Sequence, residues 1–205
     1  MERQGILIVL SGPSGAGKGT ICQELLRRYK DLHYSISATT RAPRAGEVDG
    51  VNYHFLSRQE FETMIEQDQL LEWAEVYGNF YGTPQRYVRE MLEQGNDVVL
   101  EIDTQGAMQI KEKFPEGVFI YIVPPSLDEL SKRIYKRGTD SLESIKNRLS
   151  CASSELTYAQ KYNYVIINDQ VEQATNRVNN IILAERHRVS RNLKLIEKIL
   201  KSHCE

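Results

Sequence analysis

The sequence predicts an α/β fold in which a parallel sheet is flanked by helices. Four short apolar runs are typical of strands: Gly5–Leu10, Val98–Ile102, Val118–Val123 and Tyr164–Ile167. Patterns with helical periodicity lie between these runs, and strands that alternate with helices in this way form a parallel sheet. A glycine-rich loop directly follows the first run and opens a helix, which adds a strand–loop–helix unit to the prediction.

Helical patterns account for much of the remaining sequence. We predict helices at Lys18–Tyr29, Ser57–Gln67, Pro84–Gln94, Gln105–Lys113, Ser126–Lys136, Ser141–Gln160 and Val171–Val189, followed by a short final helix from Asn192. Ser57 and Glu60 are three residues apart and have the form of a capping box, which marks a helix start. Gly95 stands where a helix would end in a left-handed residue.

The stretch of residues 34–81 interrupts the alternation of strands and helices. Short strand-like pieces, Tyr53–Phe55 and Leu70–Val76, surround one helix there. We interpret this stretch as an insertion that carries an acceptor site. The tail of residues 192–205 has a helical apolar pattern, and the sequence leaves open whether it packs on the body of the protein or on another subunit.

The composition of the 205 residues is that of a globular protein, with 40% apolar and 26% charged residues. The net charge of −2 offers no general attraction to nucleic acid, so we expect no nucleic-acid partner. The apolar runs are too short to span a membrane, and we expect no membrane partner. Cys22, Cys151 and Cys204 lack the spacing of a disulfide framework or a metal site and are expected to be reduced thiols. These features favour a cytoplasmic enzyme.

The glycine-rich loop has the spacing of a phosphate-binding loop. Four residues separate Gly12 from the Gly17-Lys18 pair, which lets successive backbone N–H groups surround phosphate oxygens. The helix from Lys18 adds the positive end of its dipole, and the Lys18 ammonium can reach the β and γ phosphates of a nucleotide. The predicted ATP-binding loop comprises Gly12, Pro13, Ser14, Gly15, Ala16, Gly17, Lys18, Gly19 and Thr20.

Two other interpretations of this loop fit less well. An ordinary glycine turn is disfavoured because the Gly-Lys pair is in register and a helix follows it. A dinucleotide-binding fingerprint would need a third glycine where Thr20 stands. Phosphate binding for kinase chemistry is therefore the leading interpretation.

The loop departs from the usual pattern at Gly19, where phosphate loops have a serine or threonine that binds magnesium. Thr20 does not take over that place, because one helical step turns a side chain through ~100°, and we expect it to bond the α phosphate. Mg²⁺ is the expected cofactor with ATP. Its ligands are left open, either water alone or water together with Glu101, which lies on the same strand face as Asp103.

A second group of residues suits the binding of an anion. Arg41, Arg44 and Tyr53 lie in one loop, and arginine presents a planar fork of donors that grips phosphate oxygens, while a tyrosine hydroxyl adds a further donor. A solvated surface loop is the alternative, since charged runs usually face water. The motifs elsewhere in the chain favour the anion site.

These motifs occur in the same order as those of guanylate kinases, which the chain resembles from about residue 8 to about residue 169. Besides the phosphate loop they are the stretches of residues 37–55, 71–75, 78–84 and 101–106. Several separated motifs are more specific than the phosphate loop alone. The resemblance implies ATP-dependent phosphorylation of GMP to GDP. It also implies a P-loop-type parallel sheet core with an inserted mixed α/β GMP-binding region and a helical lid.

The resemblance also implies which residues contact GMP. Those that would hold its phosphate are Arg41, Arg44, Tyr53 and Tyr81, and those that would surround its guanine are Ser37, Glu72, Thr83 and Asp103. Guanine offers a ring N–H and an exocyclic amine that carboxylates can accept, whereas adenine presents the opposite pattern. Selectivity for GMP over AMP is therefore expected.

A basic cluster further along the chain resembles the lid of the same family. The resemblance implies a catalytic set of Lys18, Arg41, Arg137 and Arg148, in which Arg148 also contacts GMP. By the same resemblance Arg133 and Arg137 are expected at ATP. Asn168 and Asp169 resemble the loop that borders the adenine, and a plain turn after the strand is the alternative. Guanidinium groups on a closing lid can stabilise the charge of the transferring phosphoryl group and exclude water.

The implied organisation is a P-loop core of residues 1–33, 83–125 and 160–205, a GMP-binding region of residues 34–82 and a lid of residues 126–159. Two other functions compete with this assignment. A noncatalytic guanylate-kinase-like module that binds phosphorylated peptides needs neither Lys18 nor the lid arginines. A P-loop kinase for another phosphorylated acceptor is disfavoured by Glu72 and Asp103. The sequence leaves the oligomeric state open.

Overall fold

A computed structural model of the chain describes residues 4–76, 78–136 and 154–201. The strands in these ranges are β1 (Leu7–Ser11), β2 (Leu32–Tyr34), β3 (Ala38–Thr39), β4 (His54–Phe55), β5 (Leu70–Val76), β6 (Asn79–Pro84), β7 (Asp97–Glu101), β8 (Val118–Val123) and β9 (Tyr164–Ile167). The helices are α1 (Lys18–Arg28), α2 (Arg58–Glu66), α3 (Gln85–Glu93), α4 (Thr104–Lys113), α5 (Leu127–Lys136), α6 (Val171–Arg186) and α7 (Val189–Lys201), with a 3₁₀ turn at Tyr158–Lys161.

The central sheet has the strand order β2-β7-β1-β8-β9, and its strands are parallel. Strand β1 pairs with β7 on one side, where Leu7 opposes Val98, and with β8 on the other, where Ile8 opposes Val118. The strand order therefore reverses at β1. Open α/β sheets bind ligands beyond the carboxyl ends of their strands at such a point, and the glycine loop leaves β1 there. The predicted α/β fold with a parallel sheet is confirmed.

Helices cover both faces of this sheet, and β1 is buried along its whole length. Side chains alternate between the two faces of a strand. Ile8 and Leu10 accordingly pack in one core with residues of α1 and α6, while Leu7 and Val9 pack in another with residues of α3 and α4. Burial on both faces explains why the sequence of β1 is a continuous apolar run rather than an alternation of apolar and polar residues.

A second sheet, with the order β4-β3-β6-β5, carries the residues between β2 and α3. Phe61 of α2 is fully buried against it and stacks on Phe80, with 5.4 Å between the ring centroids. The capping box that begins α2 is confirmed: the Ser57 hydroxyl accepts from the Glu60 N–H at 3.2 Å, and the Glu60 carboxylate accepts from the Ser57 N–H at 2.7 Å. The predicted strand at Leu70–Val76 is confirmed as β5.

Several predicted elements are confirmed, and others need correction. Strands β8 and β9 have the predicted bounds, and Gly95 has the predicted left-handed backbone, with φ of 83°. Strands β2, β3 and β6 are not predicted by the sequence pattern. Two or three residues are too few to show a period, and β6 contains Asn79, Gly82 and Pro84, which are typical of turns.

The C-terminal helices also differ from the prediction. Helix α6 ends at Arg186 rather than at Val189, and α7 begins at Val189 rather than at Asn192. Most of the predicted helix at Ser141–Gln160 lies outside the described residues; of the described part, residues 154–157 are α-helical, as predicted, and residues 158–160 belong to the 3₁₀ turn. No described residue of α7 is buried. None of the described helices is long and apolar enough to cross a membrane.

Candidate nucleotide-binding site

The glycine loop connects the carboxyl end of β1 to the first turn of α1. Gly12, Gly15 and Gly17 have φ angles of 145°, 88° and 90°, which other residues rarely adopt. A Cβ atom at Gly12 would lie 2.1 Å from the Ile122 carbonyl oxygen, so the loop passes against the backbone of β8 without room for a side chain. This close passage holds the loop at the carboxyl edge of the sheet.

The Lys18 ammonium folds over the loop and donates to the carbonyl oxygens of Gly12 at 2.6 Å and Pro13 at 3.2 Å. A cavity of about 280 Å³ opens beside it. Its lining consists of Ser14, Gly15, Gly17, Lys18, Gly19, Thr20, Glu101 and Arg133. The loop, the lysine and the helix N-terminus thus face one polar cavity, as the sequence predicts for a phosphate site.

Gly19 and Glu101 face each other across this cavity. A Cβ atom at Gly19 would lie 3.3 Å from each carboxylate oxygen of Glu101. A serine or threonine at position 19 would therefore crowd the carboxylate. The glycine leaves space in front of two hard oxygen atoms, which are the ligand type that Mg²⁺ and its bound waters prefer.

Arg133 of α5 lines the cavity, and Asn168, directly after β9, packs against the glycine loop beside it. The Asn168 amide donates to the Ala16 carbonyl oxygen at 2.7 Å and so holds the turn of the loop. Arg133 donates to the Asn168 carbonyl oxygen at 3.0 Å and pairs with Glu129 at 2.9 Å. The buried Oδ1 atom of Asn168 has no hydrogen-bond partner among the residues that the structure describes.

Glu155 reaches the same loop from the segment that precedes the 3₁₀ turn. Its carboxylate accepts from the Ser14 N–H at 3.4 Å, and its carbonyl oxygen accepts from the Tyr121 hydroxyl at 2.6 Å. Burial raises the pKa of the Glu155 carboxyl. Sequence reasoning missed this residue, because nothing in the sequence brings position 155 to a loop 141 residues earlier.

The predicted anion loop places Arg41 beside an internal carboxylate. The Arg41 guanidinium donates to both oxygens of Glu47 at 2.9 Å, and Glu47 also accepts from the Arg44 N–H at 2.7 Å. Partial burial alone would raise the pKa of Glu47, but the Arg44 N–H and the Arg41 guanidinium hold that pKa below its ordinary value. Glu47 is a site residue that the sequence analysis missed, although an acidic residue three positions after Arg44 was the available signal.

Two tyrosines adjoin the Arg41 guanidinium. Its carbon atom lies 5.5 Å from the centroid of the Tyr53 ring, and the Tyr53 and Tyr81 rings meet edge to face, with centroids 6.0 Å apart. The structure therefore brings Arg41, Tyr53 and Tyr81 together, as predicted for a phosphate site. Arg44 lies on the same loop with an exposed side chain.

The predicted guanine site centres on Glu72, which is only 4% exposed. Its carboxylate accepts from the Thr83 hydroxyl at 2.7 Å across the β5–β6 pair. Burial is the main reason that the pKa of Glu72 rises to about 7, and the nearby Asp103 carboxylate raises it further. Ser37 lies half-buried just before β3, a strand of the same sheet.

Asp103 has a structural role in addition to its predicted one. Its side chain is the N-cap of α4 and accepts from the N–H groups of Gln105 at 2.8 Å and Gly106 at 2.9 Å. Both contacts involve one carboxylate oxygen, Oδ1. Arg137 and Arg148, the predicted lid arginines, lie outside the described residues.

A sequence model of the guanylate kinase family matches residues 4–185. The chain belongs to the guanylate kinase family. The predicted family and enzyme class, a nucleoside monophosphate kinase that transfers phosphate from ATP to GMP, are thereby confirmed. The resemblance noted from the motifs of the acceptor loop and of residues 101–106 extends over most of the chain.

Individual guanylate kinases agree with this assignment. The chain is 60% identical to one from Desulfitobacterium hafniense over 190 residues, which are 93% of this chain and 95% of the relative. It is 61% identical to one from Caldanaerobacter subterraneus over 199 residues, which are 97% of each chain. The solved guanylate kinase of Anaplasma phagocytophilum superposes with a TM-score of 0.78 at 35% identity, over 93% of this chain and 90% of that one.

Proposed function

We propose that the two halves of the site divide the reaction between them, with ATP at the glycine loop and GMP against the second sheet. The observation that carries the acceptor half is the buried Glu72 carboxylate, held by Thr83 beside Asp103. A buried carboxylate needs hydrogen-bond donors, and guanine supplies two on adjacent positions. Ser37 completes the guanine set, and Arg41, Arg44, Tyr53 and Tyr81 hold the phosphate.

In the donor half, the N–H groups of the loop and the Lys18 ammonium bind the phosphates of ATP. Thr20 bonds the α phosphate. The Oδ1 atom of Asn168 has no hydrogen-bond donor among the described residues, and the exocyclic amine of adenine could supply one. This supports a place for Asn168 at the adenine. Arg133 points into the donor cavity and contacts the phosphates from the side of α5.

The transfer itself needs no protein nucleophile. An oxygen of the GMP phosphate attacks the γ-phosphorus of ATP, and the bond to the β–γ bridging oxygen breaks, which leaves ADP and GDP. Lys18 and Arg41 hold donor and acceptor and offset the charge on the transferring group. Arg137 and Arg148 of the predicted lid add to this stabilisation and exclude water.

Magnesium is the proposed cofactor, and the space between Gly19 and Glu101 supports its position. Glu101 would hold the ion through bound water, since Gly19 offers no hydroxyl. When bound, Mg²⁺ neutralises charge on the β and γ phosphates. Gly19 keeps the first turn of α1 clear of the Glu101 carboxylate.

A coupled assay tests the acceptor half of the proposal. ATP and magnesium are offered with GMP, AMP, CMP or UMP in turn, and rapid turnover is expected with GMP alone. Turnover with another nucleotide at a comparable rate would contradict the roles of Glu72 and Asp103.

The Lys18→Ala variant tests the donor half. We expect it to lose turnover and to bind GMP with the wild-type affinity in calorimetry, because Lys18 lies on the ATP side of the site. Lys132→Ala, which removes an exposed lysine of α5, is the matched control and should turn over GMP normally. Normal turnover by Lys18→Ala would rule out its catalytic role.

A further inference from the structure

Gly106, in the first turn of α4, is the point where the two carboxylates of the guanine site meet. Its N–H donates to the Asp103 carboxylate at 2.9 Å. On its other side, a Cβ atom at this position would lie 2.4 Å from Oε2 and 3.0 Å from Cδ of Glu72. The Glu72 carboxylate therefore occupies the volume that any other residue at position 106 would fill.

The helix itself does not require this glycine. The backbone of Gly106 is not among those with positive φ, and it lies within α4. Alanine is favoured over glycine inside a helix, because glycine loses more backbone entropy there. The contact with Glu72 is thus the feature that excludes a side chain.

Neighbouring contacts fix the distance between Glu72 and α4. The side chain of Gln109, also in α4, accepts from the Trp73 N–H at 3.3 Å and donates to the Trp73 carbonyl oxygen at 2.9 Å, which ties the helix to β5. The other carboxylate oxygen of Glu72 is held by Thr83 at 2.7 Å. With helix and strand tied together, a methyl group at position 106 would displace the end of the Glu72 side chain rather than the backbone.

We propose that Gly106 is a specificity-determining position of the acceptor site, where the missing side chain sets the place of the Glu72 carboxylate relative to Asp103. This inference rests on the proposed binding of guanine by these two carboxylates. The ring N–H and the exocyclic amine of guanine lie on one edge of the base, so their acceptors must stand at a matching separation. Gly106 fixes that separation by binding one carboxylate and leaving room for the other.

The Gly106→Ala variant tests this role through the kinetics of two acceptors. GMP and inosine monophosphate differ in the exocyclic amine, so their ratio of kcat/KM reports how well the amine is accepted. We expect kcat/KM for GMP to fall about tenfold or more, mainly through KM, and the ratio of GMP to inosine monophosphate to fall with it, because a displacement of about 1 Å has such effects. The KM for ATP should not change.

Gln105→Ala is the matched control. Gln105 is the exposed neighbour of Gly106 in the same turn, and its backbone N–H also donates to the Asp103 carboxylate. It should keep the wild-type ratio. An unchanged ratio in Gly106→Ala would overturn the proposal. Absence of GMP turnover in the wild-type enzyme would instead refute the proposed acceptor, so the two failures are distinguishable.

Glu72→Asp provides a second measurement that does not depend on the stability of the alanine variant. Aspartate is shorter by one methylene group and vacates the space beside position 106. Gly106→Ala should therefore cost less than twofold in kcat/KM when it is introduced into Glu72→Asp, although it costs tenfold in the wild type. Equal losses in the two backgrounds would show that the alanine acts elsewhere than on Glu72.

Discussion

At the scale of single residues, the burial of Glu72 that suits it for binding also lowers the stability of the folded protein. Its carboxyl is almost fully buried, and burial raises its pKa from 4.5 to about 7. In the unfolded chain the same carboxyl ionises in water near its ordinary pKa. Between these two values the folded protein holds a proton that the unfolded chain releases, so a rise in pH across this interval favours unfolding.

The Glu72→Gln variant should remove this dependence. We expect the wild type to lose about 3 kcal/mol of unfolding free energy relative to the variant as the pH rises from about 4.5 to about 7, with no further change above that interval. Denaturant titrations of both proteins at several pH values measure the difference, in which other titrating groups cancel. A constant difference over the whole interval would mean that Glu72 ionises normally in the folded state.

The residue scale also shows what the sequence can and cannot predict. Arg41, Tyr53 and Tyr81 come together as the motifs imply, since each stands in a segment that the second sheet fixes. Nothing in the sequence predicts that the Glu72 carboxylate occupies the space beside Gly106. This contact depends on how closely β5 approaches α4, and that distance is set by packing rather than by any local pattern.

At the scale of elements, the N-cap of helix α4 is also a proposed binding residue. Asp103 caps the helix through Oδ1 and is also proposed to accept from guanine. The predicted start of this helix, Gln105, is one residue late, because Asp103 is the N-cap and Thr104 is the first helical residue. A residue with both roles can satisfy them with different atoms, since the two N–H groups of the cap use only one carboxylate oxygen.

Two substitutions of Asp103 should separate these roles. Asparagine retains an oxygen that can cap the helix, so Asp103→Asn should keep the wild-type stability, whereas Asp103→Ala should lose about 1 kcal/mol. Both variants lack the carboxylate and should show a raised KM for GMP. Thermal unfolding and steady-state kinetics on the same samples provide the two measurements.

Ser57→Ala is the control for this comparison, because it removes the cap of α2 without touching a proposed site residue. It should lose a similar amount of stability and keep the wild-type KM for GMP. A wild-type KM in Asp103→Asn would exclude the carboxylate from guanine binding. Equal stability of the Asn and Ala variants of Asp103 would exclude the capping contribution.

Short strands mark the limit of prediction at the scale of elements. Strand β8 has the predicted bounds because burial on both faces leaves a continuous apolar run. Strand β9 also has the predicted bounds, although it is an edge strand in which Val165 and Ile167 are exposed. Strand β6 combines glycine and proline with Thr83 and Tyr81, and its pairing with β3 and β5 overrides the turn propensity of its residues. Within the second sheet, β4 and β5 fall on predicted strand-like pieces, whereas tertiary pairing rather than local sequence determines β3 and β6.

At the scale of the whole molecule, the two ends of the parallel sheet have different tasks. The carboxyl ends of β1, β7 and β9 lead into the glycine loop, Asp103 and Asn168, which make up much of the site. The amino ends of β1, β2 and β7 are held by charged contacts. This arrangement follows from a parallel sheet, in which equivalent strand ends meet at one edge.

Arg186, the last residue of α6, is the centre of the contacts at the amino edge. It pairs with the buried Asp97 at 2.7 Å and with Asp31 at 2.7 Å, and Asp97 also accepts from the Ile6 N–H at 2.8 Å. These contacts join α6 to the starts of β7 and β2 and to the residue before β1. They lie at the opposite edge of the sheet from the site.

We therefore expect Arg186→Ala to change stability without changing catalysis. Loss of a charged hydrogen bond to the buried Asp97 should lower the free energy of unfolding by about 2 kcal/mol. Arg86→Ala, which removes an exposed pair with Glu90, should lower it by less than about 1 kcal/mol. At temperatures where both variants are folded, kcat and the KM values for GMP and ATP should equal those of the wild type, because the ion pairs of Arg186 and Arg86 involve no proposed site residue. A raised KM for GMP in Arg186→Ala alone would show that the amino edge is coupled to the site through the strands, and the division of tasks between the two edges would then be wrong.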